Sequence, residues 1–147
     1  MSEKRNILFL CTGNSCRSQM AEAWTNHLKG DLFEAYSAGV MANMLDPRAV
    51  TAMAEAGIDI SGKRSKTIDD LPVKDWDLVV TLCGDARENC PVFPGSTKIL
   101  HRGFDDPPRL ARSAVDEEGA MVHYRRVRDE IRNFVNGLDE TEAERQD

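Results

Sequence analysis

Apolar positions fall alternately into short unbroken runs and into helically spaced sets. Residues 6–10, N-I-L-F-L, form a continuous apolar run that stops at Cys11-Thr-Gly-Asn, the pattern of a buried strand feeding a tight turn. From Ser18 onward Met20, Ala21, Trp24 and Leu28 recur at helical spacing, and Gly30 follows as a stop. Leu32 to Ala38 is rich in strand formers and closes at Gly39, which predicts a second strand. Asp46-Pro47 reads as an acidic cap followed by a proline at the first helical position. Ala49, Val50, Met53 and Ala54 supply the apolar face of that helix, which ends at Gly57. Trp76 to Leu82 is the most strand-like stretch and ends at Cys83, just as the first strand ends at Cys11. Thr97 to His101 predicts a last strand, and Tyr124, Val127, Ile131, Phe134 and Leu138 step by three and four along a final helix.

Strands that alternate with helices require crossover connections, so the expected fold is α/β with a parallel sheet and helices on both faces. In such sheets ligands bind beyond the carboxyl ends of the strands, where Cys11, Cys83 and the loop after His101 would converge. The 147 residues suffice for one compact domain, here 1–138, followed by an acidic tail, 139–147, that is expected to fray. With 41% hydrophobic and 30% charged residues the chain reads as a soluble globular protein, neither disordered nor membrane-embedded, and it is expected to act as a monomer. Asp+Glu 25 against Lys+Arg 19 gives a net charge of -6, which opposes binding to nucleic acid. The N-terminus is charged and the apolar run after it is far shorter than a signal-peptide core, so the expected location is the cytoplasm. In that reducing compartment Cys11, Cys16, Cys83 and Cys90 point to catalysis, redox chemistry or metal binding rather than structural disulfides.

Cys11-Thr12-Gly13-Asn14-Ser15-Cys16-Arg17-Ser18 joins a strand end to a helix N-terminus, a junction that aims several backbone N–H groups at one spot. Gly13 and Asn14 tolerate the left-handed backbone that curls amides around a tetrahedral anion, and Arg17 offers a planar fork for two of its oxygens. The same donors favour the thiolate of Cys11, which makes it a nucleophile placed under a bound anion. A Walker-type nucleotide loop is excluded, because G-x-x-x-x-G-K-[ST] is absent here.

C-T-G-N-S-C-R-S-Q-M-A-E-A resembles the phosphate-binding loop of the low-molecular-weight protein tyrosine phosphatase superfamily, and most closely its thioredoxin-coupled arsenate reductase branch. The resemblance extends through Tyr36-Ser-Ala-Gly39, Val79-Val-Thr-Leu-Cys83, Phe104-Asp-Asp-Pro107 and Val127-Arg-Asp-Glu-Ile131. It implies a three-layer single-domain sandwich on a four-stranded parallel sheet. It also implies that Cys11 attacks, that Arg17 binds the oxyanion with the backbone of Thr12, Gly13, Asn14, Ser15 and Cys16, and that Ser18 hydrogen-bonds the Cys11 thiolate. Asn14 would hold the loop in shape. Asp106 falls at the general-acid position, with Asp105 as the alternative.

Ester hydrolysis changes no oxidation state and has no use for further thiols, whereas reduction of arsenate needs two electrons. Cys11 and Cys83 can supply them as a disulfide if their strands are sheet neighbours, about 4.8 Å apart. Cys90 follows Cys83 by seven residues, about 10 Å along a helix, so a bridge between them requires that segment to unwind. Gly84, the polar residues up to Asn89, Pro91 and Pro94-Gly95 make it a weakly held segment. The implied cycle runs from Cys11 to Cys83 to Cys90 with no bound cofactor. Its electrons come from reduced thioredoxin, while a glutaredoxin or a small thiol would serve the same chemistry. Arsenate is the expected substrate, with phosphate and sulfate as competing anions. A zinc site does not match the cysteine spacing. Cys16 reads as a packed bystander, and His27, His101 and His123 receive no role. Some members of the family bind potassium through the segment matching Ser61 to Thr67, with Asn14 and Ser37. Here Arg64 and Lys66 stand where those members carry Thr and Asp, so no potassium site is expected.

Overall fold

The computed structural model describes residues 4–93 and 95–139. The chain runs β1 (Arg5–Cys11), α1 (Arg17–Leu28), β2 (Phe33–Gly39), α2 (Pro47–Glu55), β3 (Leu78–Thr81), α3 (Gly84–Glu88), β4 (Lys98–His101), α4 (Pro107–Ala111) and α5 (Glu117–Asn136). The four strands form one sheet in the order β2-β1-β3-β4, and every neighbouring pair is parallel. The acidic tail beyond Asp139, expected to fray, lies outside the described residues.

Alternation along β1 divides the core. Ile7 and Phe9 point to one face, where they pack with Met20, Ala21 and Trp24 of α1, Ala49 and Met53 of α2, and Tyr124, Val127 and Ile131 of α5. Leu8 and Leu10 point to the other and pack with Ala38, Leu71, Trp76, Val79 and Ala86. Among the described residues the second face therefore carries only the five-residue α3, a short 3₁₀ turn at Ile68–Asp70 and irregular chain, so the two covering layers are unequal.

Three elements differ from the sequence expectation, each for a physical reason. β3 spans Leu78–Thr81, shorter than Trp76–Leu82, because Trp76 leaves the ladder to fill the second face, where it is 1% exposed. α5 begins at Glu117, before its first apolar step. Asp116 caps it by accepting from the Gly119 amide at 2.8 Å, and Glu117 and Glu118 meet the positive end of the helix. α4 was not anticipated, although Asp106-Pro107 repeats the Asp46-Pro47 start signal.

Candidate active site

Parallel pairing gathers the carboxyl ends of β1, β3 and β4 at one edge of the sheet, with the Cys11–Cys16 loop leading from β1 into α1. The loop's carbonyls all turn outward. Cys11 O accepts from Val40 N at 3.1 Å, Thr12 O from Met41 N at 3.1 Å, Gly13 O from Asn43 N at 2.9 Å and Ser15 O from Asp46 N at 2.9 Å. Asn14 O accepts from Ser65 Oγ at 2.7 Å and Gln19 Nε2 at 3.2 Å. In a planar trans peptide the following N–H points opposite to the carbonyl, so the amides of the loop face inward. They line a cavity of about 300 Å³ whose walls are Cys11, Thr12, Gly13, Ser15, Cys16 and Arg17, faced by Asn43, Asp85, Asp106, Pro108 and Arg112.

Of the two residues expected to be left-handed, only Asn14 is, at φ 51°. Its side chain secures that conformation: Oδ1 accepts from Gln19 Nε2 and from Lys66 N, each at 3.0 Å. Gly13 is not left-handed, and a Cβ there would lie 2.3 Å from the side-chain nitrogen of the exposed Asn43, which would have to shift. Asn14 Nδ2 also donates to Ser18 Oγ at 2.8 Å, which leaves the Ser18 hydroxyl proton for Cys11 Sγ, 2.8 Å away. The buried Cys11 sulfur thus accepts from Ser18 beside the inward amides.

Arg17 is held in place by donation from Nη1 to Phe104 O at 3.0 Å, and its Nη2 lies 3.6 Å from Asp106 Oδ1. Asp106 therefore faces the cavity. Asp105 turns away into an ion pair with Arg126 at 3.0 Å. Cys16 also lines the cavity, but burial, with Asp46 next in weight, pushes its thiol well above the ordinary range and keeps it protonated.

The second thiol arrives through β3. Leu10 pairs with Thr81 and Leu82 N donates to Leu10 O, so Cys83 stands one residue beyond the level of Cys11 and opposite Thr12. Thr12 Oγ1 and Cys83 Sγ are 3.2 Å apart, and Cys83 Sγ accepts from Ala86 N at 3.4 Å as the cap of α3. Cys90 lies past the other end of α3, packed against the second core, where burial raises its thiol. All four cysteines are free. His101 is tied at 2.6 Å to Thr81 Oγ1, on the sheet rather than in the cavity.

Behind the loop, the Lys66 ammonium stands 3.4 Å from Arg64 O, 3.5 Å from both Asn14 Oδ1 and Ser37 Oγ, and 3.9 Å from Glu22 Oε1. Burial lowers its pKa, against the pull of Glu22. Among the described residues no group of three His, Cys, Asp or Glu side chains is placed to hold a metal ion, and no helix is long and apolar enough to cross a membrane. Sequence reasoning missed the Thr12–Cys83 contact and the roles of Gln19 and Ser65. The signal for Gln19 was its place on the first turn of α1, where a side chain can reach back to the loop.

A profile described as low molecular weight phosphotyrosine protein phosphatase matches residues 6–146. The chain belongs to that family. Within it, the chain is 52% identical over 139 residues to an arsenate reductase of Bacillus subtilis (strain 168), covering 95% of this chain and 98% of the relative. A solved structure of an arsenate reductase in the phosphate binding state superposes with a TM-score of 0.67 at 30% identity, covering 91% of this chain and 95% of the other. A thioredoxin-dependent arsenate reductase of Corynebacterium glutamicum superposes at 0.66 with 27% identity, covering 92% of this chain and 60% of that one. The shared fold is the four-stranded parallel α/β sandwich of low-molecular-weight phosphatases.

Proposed function

We propose that this chain is an arsenate reductase that works by an intramolecular disulfide relay regenerated by thioredoxin. The observation that carries the reading is the second thiol at the anion loop, Cys83 Sγ 3.2 Å from Thr12 Oγ1. A phosphatase of this fold has no step for it, whereas a two-electron reduction requires it.

Cys11 thiolate attacks arsenic of bound arsenate, forming a sulfur–arsenic bond, and Asp106 gives its proton to the departing oxygen, which leaves as water. Arg17 and the inward amides hold the remaining oxygens. Cys83 thiolate then attacks Cys11 Sγ. A sulfur–sulfur bond forms, the sulfur–arsenic bond breaks, and its electron pair stays on arsenic, which leaves as arsenite. Cys90 attacks Cys83 Sγ next, making the Cys83–Cys90 disulfide and returning Cys11 as thiolate. A dithiol of the thioredoxin type reduces that bridge by two exchanges. The five residues of α3 and Asn89 separate Cys83 from Cys90, so the helix must open for the third step. This cycle would serve arsenic detoxification in the cytoplasm.

The runner-up, hydrolysis of phosphotyrosine, finds less support: among the described residues no aromatic side chain lines the cavity to receive a phenyl ring. The test is arsenite formation with thioredoxin, thioredoxin reductase and NADPH, run beside hydrolysis of an aryl phosphate. Multiple turnovers of arsenate that vanish in Cys83→Ser support the relay. Turnover that survives in Cys83→Ser, or vigorous ester hydrolysis without arsenite, overturns it.

A further inference from the structure

The charges around the anion cavity do not balance in favour of a dianion without one residue that the relay leaves unused. Among the described residues four ionisable side chains line the cavity: Arg17 and Arg112 against Asp85 and the proton donor Asp106. Arg17 is already committed to Phe104 O at 3.0 Å and lies 3.6 Å from the Asp106 carboxylate. Asp85, on α3, adds a second negative wall, 3.5 Å from Thr12 Oγ1. With the chain at a net charge of -6, a tetrahedral dianion approaching this edge meets repulsion unless a further cation faces it.

Arg112 is that cation. It follows α4, whose end is fixed by the Arg112 amide donating to Arg109 O at 3.3 Å and by the burial of Ala111 against the main core. Its backbone is thus held while its side chain lies exposed at the cavity wall, beside Pro108 and Asp106. Among the described residues its guanidinium makes no ion pair. The other arginines nearest in sequence or space either face elsewhere, as Arg109 does, or are paired, as Arg126 is with Asp105 and Glu130.

We propose that Arg112 is a substrate-binding residue, the second cation of the oxyanion site, which draws a tetrahedral dianion to the mouth and pairs with its outward oxygens while Arg17 and the loop amides hold the inner ones. The inference rests on reading this cavity as the oxyanion site and deepens it. A planar fork suits two oxygens of one tetrahedron better than an ammonium does, so lysine should substitute only in part.

The test uses the reduced full-length chain, with inorganic phosphate as the binding probe in calorimetry and arsenate as the substrate in steady-state assays. Arg112→Ala, Arg112→Lys and Arg109→Ala are compared; the last removes the same net charge from α4 without touching the cavity. Arg112→Ala should weaken phosphate about five- to tenfold and raise the KM for arsenate by the same factor with kcat nearly unchanged, an exposed pair to a dianion being modest but real. Arg112→Lys should fall between, Arg109→Ala should match wild type, and the Arg112→Ala deficit should shrink as salt is added. Unchanged phosphate affinity in Arg112→Ala, or an equal loss in Arg109→Ala, overturns the proposal. If the phosphate contrast holds while wild type reduces no arsenate, Arg112 stands and the reductase reading falls.

Discussion

Removing the Ser18 hydroxyl should disarm Cys11. Ser18 is fully buried, accepts from Asn14 Nδ2 at 2.8 Å and faces Cys11 Sγ at 2.8 Å, so Ser18→Ala deletes the donor to the sulfur and the acceptor of the amide together. A hydrogen bond to a charged group is worth about 1.5–3 kcal/mol, a factor of about ten to a hundred in a rate that depends on the charged sulfur. The stranded Asn14 amide costs about 1–3 kcal/mol more, now charged to the fold. In a chain of this size that lowers the melting temperature by about 3–10 °C. The assay is the second-order rate of iodoacetamide alkylation of Cys11, with Cys16, Cys83 and Cys90 replaced by serine in both proteins. The expected result is a rate at least tenfold lower in Ser18→Ala, together with the lower melting temperature. An alkylation rate within twofold of the parent would refute the claim that Ser18 donates to the thiolate.

Other consequences follow from neighbouring contacts. Tyr124 donates to Asp46 Oδ2 at 2.5 Å from inside α5, and burial with Asp46 raises its phenol pKa above the ordinary value. Above about pH 10 the unfolded chain loses that proton first, so stability should fall with rising pH there, and Tyr124→Phe should flatten the fall in alkaline denaturation curves. With the Lys66 ammonium among Asn14, Ser37 and Glu22 oxygens, activity should respond alike to sodium and potassium at matched ionic strength, and a potassium-specific stimulation would contradict this. Amide exchange between Gly84 and Phe93 should rise when the protein is oxidised, while α5 around Ile131 stays protected; an unchanged segment would mean that α3 does not open.

The sheet and its carboxyl-end site were legible because buried parallel strands leave unbroken apolar runs, as in Ile7–Leu10, that end where the chemistry begins. What the pattern hid was polar or short. α5 starts on Asp116, Glu117 and Glu118, a capping signal that precedes its first buried residues Ala120 and Met121, and α4 is too brief to show a period. The loop residues were readable by type, but their division of labour was not. Asn14 bears the left-handed backbone, while Gly13 lies against the side chain of Asn43, a residue distant in sequence. Likewise the register that sets Cys83 opposite Thr12 rather than Cys11 is decided by pairing, to which composition is blind.

The central claim is that electrons leave arsenate-bound Cys11 by way of Cys83 and come to rest between Cys83 and Cys90. Mass mapping of the product of a single turnover, with arsenate and reduced protein and no external reductant, tests it most directly. The expected product is a stoichiometric Cys83–Cys90 disulfide with one arsenite released and Cys11 free again. A bridge between Cys11 and Cys16, or arsenite released with both Cys83 and Cys90 still reduced, would contradict the relay.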